Sequence, residues 1–263
     1  MHDLILNNKS APLQNTIRIA TFNIHKGVSH FNARFSLHNQ RELLRKLQVD
    51  LVFLQEVQDV HHINSKRHDA WPTAGQVEFL ADTVWPEFAY GKNSVYPAGH
   101  HGNALLSKFP IIQTKNINIS AHASEQRGFL HSEIKLPHWD VPLHAICVHL
   151  GLFAHWRHQQ LEKVAAYIEK QVPLGSPLII AGDFNDWSSS AGRTFAKRLH
   201  LREVFEHHAG QSARSFPSWL PILRLDRIYV RGFNVSHAEV HAGVGFLKVS
   251  DHAILTATLV KTS

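Results

Sequence analysis

Short apolar runs rich in β-branched residues, each bounded by turn residues, recur along the chain. They are Ile17–Ile24, Leu51–Val57, Asn103–Ser107, Ile111–Ile119, Phe129–Leu136, Pro142–Leu150, Leu178–Ala181, Leu225–Val230, Val235–His241 and Ala253–Val260. Runs of this length and composition predict strands. Phe129–Leu136 and Ala253–Val260 partly alternate, the pattern of strands with one buried face, whereas Leu51–Leu54 is continuously apolar and suits a strand covered on both faces. Helical periodicity is rarer. In Ala154–Gln171 the residues Leu161, Val164, Ala165 and Ile168 fall at i, i+3, i+4 and i+7, one face of a helix that Pro173 bars from continuing. Arg41–Leu47 reads the same way through Leu43, Leu44 and Leu47, and Gln76–Trp85 and Ala191–Leu199 are fainter versions. Many strands and few helices predict an α/β protein in which sheet packs on sheet with helices outside. No linker, low-complexity tract or repeat breaks the pattern. Residues 17–263 therefore read as a single domain behind a short N-terminal tail, residues 1–16.

Composition narrows this picture. The chain has 263 residues, 44% hydrophobic and 18% charged, which excludes disorder and collagen-like repeats. A chain of this size buries roughly three quarters of its unfolded surface and needs no disulfide or zinc staple. Its single cysteine, Cys147, cannot form an internal bridge and sits mid-strand among Ala145, Ile146 and Val148, where an inert core thiol is expected. The longest apolar runs fall far short of the roughly 20 residues that span a bilayer, so no transmembrane segment is predicted. The N-terminal apolar run of three residues is too short for a secretory signal, and the expected location is cytoplasmic. Lys and Arg (27) exceed Asp and Glu (21), a mild net charge of +6 that fits an anionic substrate. Histidine is abundant, at 22 residues, but scattered. No HExxH, GxSxG or P-loop is present.

The chemistry-bearing residues fall at the ends of predicted strands, where a rigid scaffold hands side chains to a cleft. Asn23 closes IRIATFNI, and Glu56 lies near the end of the apolar LVFLQEV, where a carboxylate needs a cation or an ion-pair partner. His149 ends PLHAICVHL; alone it reads equally as a core histidine. In LIIAGDFNDW, Asp183 and Asn185 stand two apart and, if extended, share one side, though an Asx-turn explains them too. Asp226 lies in RLDRIYV, and Asp251 and His252 open the final strand in SDHAIL. An Asp that orients a His fixes its tautomer and raises its basicity, but the sequence does not say which Asp meets His252.

Taken in order, TFNIHKG, LQEV, HGNALLSKFPI, VHLGL, AGDFNDW, RLDRIYV and SDHA resemble the motifs of the endonuclease/exonuclease/phosphatase superfamily, with its deoxyribonuclease I-like fold, from about Arg18 to Leu259. The wording NIHKG and HHGNALLS is most similar to a largely uncharacterised bacterial subgroup. The resemblance implies a four-layer α/β/β/α sandwich of two mostly antiparallel or mixed sheets, and hydrolysis of phosphate esters with Mg²⁺ or Mn²⁺. It implies that Glu56 is the main metal ligand with Asn23 and Asp251 beside it, and that Asp183 orients or deprotonates the attacking water. Asn185 and His149 would hydrogen-bond the phosphate, and His252, held by Asp226, would contact it as acid or base. Arg127 and Asn103 would reach the substrate. One departure stands out: several DNA-repair members carry an acid two residues after the Asn of the first motif, where this chain has His25, a poorer Mg²⁺ partner. Lys26 next to it would add positive charge near an anionic group.

The expected function is a phosphodiesterase acting on nucleic acid or a phospholipid, with a phosphomonoesterase for sugar or inositol phosphates as the alternative. A non-catalytic binding module is disfavoured because Glu56, the GDFN motif and the terminal Asp251–His252 pair are all intact. Arg157 and Gln160, one turn apart, are expected to tie helix to sheet. PSWLPILRL, residues 217–225, offers Trp219, Leu220, Ile222 and Leu223 for transient contact with a membrane surface; packing under a long loop is the preferred reading. No obligate protein partner is implied.

Overall fold

The computed structural model describes residues 15–29, 35–61, 71–72, 74–97, 99–122, 124–187 and 190–262. The predicted tail lies outside the described residues up to residue 14, and the first strand begins at Thr16.

Two sheets of six strands lie face to face. The first has the order β11(Phe233–His241), β12(Ile254–Lys261), β1(Thr16–Asn23), β2(Leu51–His61), β4(Gly99–Ser107), β3(Glu87–Tyr96). The second has the order β5(Ile111–Asn118), β6(Gly128–Ile134), β7(Leu143–His149), β8(Leu178–Asp183), β10(Asp226–Arg231), β9(Arg202–Glu203). Outside the first sheet lie α1(Leu37–Leu47) and α2(Gln76–Ala81), and α3(Ala154–Gln171) and α4(Ser190–Arg198) cover the second. A short α5(Val204–Ala209) follows β9. Each sheet is mixed: β1 runs parallel to β2 and β7 parallel to β8, with the other pairings antiparallel.

Three apolar layers hold this together, and strand alternation assigns residues to them. Ile17 and Ile19, Ala145 and Cys147, Ile179 and Ala181, and Ile228 and Val230 form the layer between the sheets. Their neighbours Ala20 and Phe22 pack toward α1 and α2, while Ile146, Val148, Leu178 and Ile180 pack toward α3 and α4. In α3, Leu161, Val164, Ala165 and Ile168 are all buried, as the sequence pattern predicts.

The parallel pairs matter most for function. They bring the C-terminal ends of β1 and β2 to one edge, and those of β7 and β8 to one edge of the facing sheet. Antiparallel β10 starts beside the end of β8, with Asp226 opposite Asp183. Antiparallel β12 starts beside the end of β1. Strand ends from both sheets therefore meet at one rim.

Candidate active site

Along each strand that reaches this rim, the inner-facing row changes from apolar to polar. In β1 the row reads Ile17, Ile19, Thr21, Asn23; in β7, Ala145, Cys147, His149; in β8, Ile179, Ala181, Asp183. Asp226 opens the inner row of β10. Beneath them Gln55 donates to Thr21 Oγ1 (3.2 Å) and to Cys147 Sγ (3.2 Å), which closes the core under the site. Burial pushes the Cys147 thiol up to about 12, so it is inert.

Glu56 reaches the rim by a different device. Strict alternation would place it on the helix-covered face with Leu54. A bulge shifts the β2–β4 register between Leu54 and Val57, and Glu56 adopts φ +56°. Leu54 and Val57 both stay in the outer core, and the carboxylate turns into the cleft. Bulges re-aim side chains at functional sites in this way, at a strain cost of about 1–3 kcal/mol for a left-handed non-glycine residue. Asn185 is likewise left-handed, at φ +50°. Gly182 holds the backbone close: a Cβ there would stand 2.0 Å from the Val148 carbonyl oxygen.

The result is a cleft of about 340 Å³ lined by Glu56, Arg127, His149, Asp183, Asn185 and His252, with Leu152, Trp187, Phe216, Leu223 and Leu225. A larger hollow of about 480 Å³, between residues 168–174 and 198–200, has Glu169 as its carboxylate, and Arg198 binds both of its oxygens. In the cleft Asn23 Nδ2 donates to Asp183 Oδ2 (3.1 Å) and, more weakly, to Glu56 Oε1 (3.4 Å). Asp183 Oδ1 accepts from the Asn185 N–H (2.9 Å), and its Oδ2 faces His149 Nε2 at 3.6 Å and His252 Nε2 at 3.8 Å. His252 Nδ1 bonds Asp226 Oδ2 at 2.8 Å, which settles the partner left open by the sequence. Asp251 instead pairs with His25 Nδ1 at 2.6 Å.

Burial and charge set the protonation pattern. Burial alone would depress His252, but the Asp226 and Asp183 carboxylates outweigh it and raise it to about 10, so it is an imidazolium at neutral pH. Burial, reinforced by the positive charge of Arg127, drives His149 well below its ordinary value; it is neutral, and its contact with Asp183 is no salt bridge. Burial raises Asp183 above the ordinary carboxylate range, against the pull of His252. Burial works against the Asp251 carboxylate, yet the His25 hydrogen bond holds it below its ordinary value.

Asp183, Asp226 and His252 carry ligand atoms within 4.8 Å of one another. We read this group as an acid–base relay, because the His252–Asp226 hydrogen bond already occupies two of the three donors. The carboxylate suited to a hard cation is Glu56. Among the described residues its partners are two long contacts, Asn23 and the Lys26 ammonium at 3.8 Å. A cleft-facing carboxylate so lightly engaged fits Mg²⁺ or Mn²⁺, which bind through one or two carboxylates plus water and substrate oxygens.

Not every expected residue joins the cleft. Asn103 is buried, and its amide donates to the carbonyls of Gly128 (2.9 Å) and Cys147 (3.3 Å), strapping β4 to the second sheet. Arg127 lines the cleft and contacts Glu125 at 3.5 Å. Arg157 is buried, donates to the carbonyls of Gly151 and Leu152, and lies 4.9 Å from the Trp187 ring; Gln160 accepts from the Gly151 N–H. They tie α3 to the loop that walls the cleft. Packing under a loop is overturned for 217–225. Phe216 and Leu223 pair across a hairpin-like loop whose tip leaves Leu220 (53%) and Ile222 (56%) exposed. Sequence reasoning gave no role to Trp187 and Leu152, which stand exposed at the same mouth.

A family model described as the endonuclease/exonuclease/phosphatase family matches residues 20–252, from within β1 to His252. The chain belongs to the endonuclease/exonuclease/phosphatase family. Its description names kinds of phosphoester hydrolase. Uncharacterized protein YbhP of Escherichia coli K12 is 42% identical over 246 residues, covering 94% of this chain and 97% of that protein. Among solved structures, a family member from Beutenbergia cavernae superposes with a TM-score of 0.75 at 18% identity, over 95% of this chain and 72% of that one. The D. rerio TDP2 structure complexed with a single-strand DNA product superposes with a TM-score of 0.65 at 19% identity, over 93% and 98%. The likeness of both is one of fold.

Proposed function

We propose that this protein is a divalent-metal-dependent phosphodiesterase that cleaves a P–O bond by in-line attack of water. The observation that carries this reading is the convergence of Glu56, Asn23, Asp183, Asn185, His149 and the Asp226–His252 pair from both sheets onto one cleft. Glu56 would hold Mg²⁺ or Mn²⁺, with Asn23 and Asp251 beside it, and the ion when bound supplies charge neutralisation on the phosphate oxygens. Asp183, its pKa raised and its two oxygens fixed by Asn23 and the Asn185 N–H, orients the attacking water and accepts its proton. His252, cationic between Asp226 and Asp183, contacts the phosphate and donates a proton as charge builds. Neutral His149 donates one hydrogen bond to the phosphate. Asn185 donates one Nδ2 hydrogen to the Leu150 carbonyl (2.9 Å), which leaves the second for the phosphate. Displacement is direct, with no covalent intermediate.

Between a nucleic acid and a phospholipid, the cleft mouth favours the phospholipid. Leu152, Trp187, Phe216 and Leu223 line it, and Phe153, Trp219, Leu220 and Ile222 extend the apolar rim into solvent. Nucleic-acid grooves need Lys and Arg along several phosphates. The test is one panel: plasmid DNA, abasic oligonucleotide, RNA, phospholipid vesicles, and sugar and inositol phosphates, each with Mg²⁺, Mn²⁺ or EDTA. Expected is metal-dependent release from the phospholipid that Asp183→Ala and Glu56→Ala each abolish. Turnover that survives either substitution, or a trapped phosphoenzyme, would sink the mechanism; turnover on DNA alone would sink the substrate assignment.

A further inference from the structure

Away from the cleft, on the outer face of the second sheet, β6 and β7 bring two histidines and a glutamate together. His131 and Glu133 share a face of β6, and the antiparallel register sets Glu133 opposite His144 on β7. His131 Nε2 and His144 Nδ1 are 3.0 Å apart, and one ligand atom from each of His131, Glu133 and His144 lies within 4.8 Å of the others. Both histidines are only 3% exposed. His144 lies five residues before His149 on the same strand, roughly 17 Å along it, and faces the opposite side of the sheet. This cluster is separate from the phosphate chemistry.

We propose that His131, His144 and Glu133 form a second metal site, for a borderline transition-metal ion of the Zn²⁺ class. Two imidazoles and one carboxylate are a Zn²⁺ donor set, and they suit Mg²⁺ poorly. A tetrahedral ion with bonds of about 2.0–2.1 Å sets its ligand nitrogens about 3.3 Å apart. The observed pair needs to open by only a few tenths of an ångström. Burial pushes His131 down to about 4 and His144 below its ordinary value, so both lone pairs are free of protons at neutral pH. Glu133 takes no hydrogen bond or ion pair from another described residue, which leaves its carboxylate available. The cations whose fields reach the pair are Lys115, on the neighbouring strand, and Arg231; Glu133 opposes them. Tyr167 on α3 sits at the other nitrogen of His131, with its hydroxyl 3.0 Å from Nδ1. When His131 binds metal through Nε2 its proton resides on Nδ1 and points to the Tyr167 oxygen, the outer hydrogen bond that orients metal-ligating histidines. The proton of His144 moves to Nε2, so neutral imidazoles bind without net proton release. The ion would clip β6 to β7 under α3.

The experiment uses Co²⁺ as a spectroscopic probe. Full-length protein is stripped with chelator, given excess Mg²⁺ to occupy the cleft, and titrated with Co²⁺ and then Zn²⁺. The wild type is expected to develop the ligand-field bands of four-coordinate Co²⁺, discharged by one equivalent of Zn²⁺. Glu133→Gln and His144→Asn should weaken that binding at least tenfold, and Tyr167→Phe about 10–100-fold as loss of an outer hydrogen bond does. Asp183→Ala should leave the bands unchanged. Bands that persist at wild-type affinity in Glu133→Gln and Tyr167→Phe, or that vanish with Asp183→Ala, overturn the site, as does a wild type showing only six-coordinate Co²⁺. Glu133→Gln and Tyr167→Phe conserve shape, so they decide the matter even where His144→Asn fails to fold.

Discussion

At the residue scale, the cleft works by separating the protonation states of neighbouring groups. His252 is held cationic by Asp226 at 2.8 Å, while His149, on the other side of Asp183, is neutral because burial and nearby cations disfavour its charge. Asp226→Asn is therefore expected to act through His252. With the carboxylate gone, the raised pKa falls from about 10 toward the ordinary 6.5. The protonated acid is lost as pH rises through that value, so the alkaline limb of kcat/KM should move down by more than one pH unit and kcat should fall by about 10²–10⁴. A pH–rate profile of the two proteins checks this; an unshifted alkaline limb would assign Asp226 a merely structural role. Much of this site was legible in the chain, because carboxylates and amides at the ends of apolar strands are costly without a purpose. Two parts were not. Residue pattern alone does not say which Asp pairs with His252, because that depends on β10 and β12 meeting from different sheets; only the family resemblance points to Asp226. Asn103 looks like a cleft residue in the string HGNALLS, yet its neighbours are backbone carbonyls of the facing sheet. Glu56 lines the cleft as expected, although strict alternation points it the wrong way and only the bulge turns it there.

At the scale of elements, legibility follows burial. Strands rich in β-branched residues announce themselves, and each predicted run appears, some extended at their ends. β3 leaves no mark in the sequence pattern, because EFAYGKNSVY is an edge strand whose exposure varies irregularly and shows neither alternation nor an apolar run. α5 is six residues, too short for helical periodicity, and rests on Glu203 accepting from the Glu206 N–H. Helix ends also moved: α1 begins at Leu37 and α2 stops at Ala81, short of Trp85. β6 departs from expectation in a different way. Its partial alternation predicts one wet face, yet both faces are covered, the inner by the first sheet and the outer by α3. On its outer face His131 is therefore buried rather than solvated, and Glu133 is half-buried. That burial has a pH signature. The folded chain refuses a proton on His131 until about pH 4, whereas the unfolded chain takes it up near 6.5. Unfolding thus binds protons across this window, and stability falls as pH drops through it. Between pH 7 and pH 5 this histidine should account for about 1–2 kcal/mol of lost stability. Urea unfolding in EDTA at the two pH values should show His131→Gln flatter than wild type by that amount; equal slopes would place the proton uptake elsewhere.

At the scale of the whole molecule, the two sheets act as a vice that presents one polar rim, and the loops around it decide what the rim can approach. The loop at 216–223 projects Trp219, Leu220 and Ile222, and the turn after β11 brings Val244 beside it through the Gly243 N–H bond to the Ser218 carbonyl at 2.9 Å. Across the mouth, Leu152, Phe153 and Trp187 are exposed on the wall that Arg157 braces. Exposed apolar side chains gathered at a cleft mouth are what the proposed phospholipid substrate requires of this surface. A net charge of +6 adds attraction to an anionic leaflet. No helix among the described residues is long and apolar enough to cross a membrane, so contact of this kind would be peripheral. If the rim seats the enzyme on a lipid surface, its contribution belongs to interfacial binding and not to the chemical step. Replacing Trp219, Leu220 and Ile222 together by Ser removes apolar groups each worth about 1.5–3 kcal/mol on full burial, and part of that on shallow insertion. KM for vesicle phospholipid is then expected to rise by at least about tenfold, a factor that needs only about 1.4 kcal/mol. Hydrolysis of a short-chain, monodisperse phosphodiester with the same head group should stay within about twofold of wild type, because Asp183, His149 and His252 are untouched. Vesicle co-sedimentation without metal separates binding from turnover and should fall in parallel with the vesicle rate. A loss shared equally by the soluble and vesicular substrates would show that the loop shapes the cleft itself, and unchanged vesicle binding would remove the membrane-facing role of the rim.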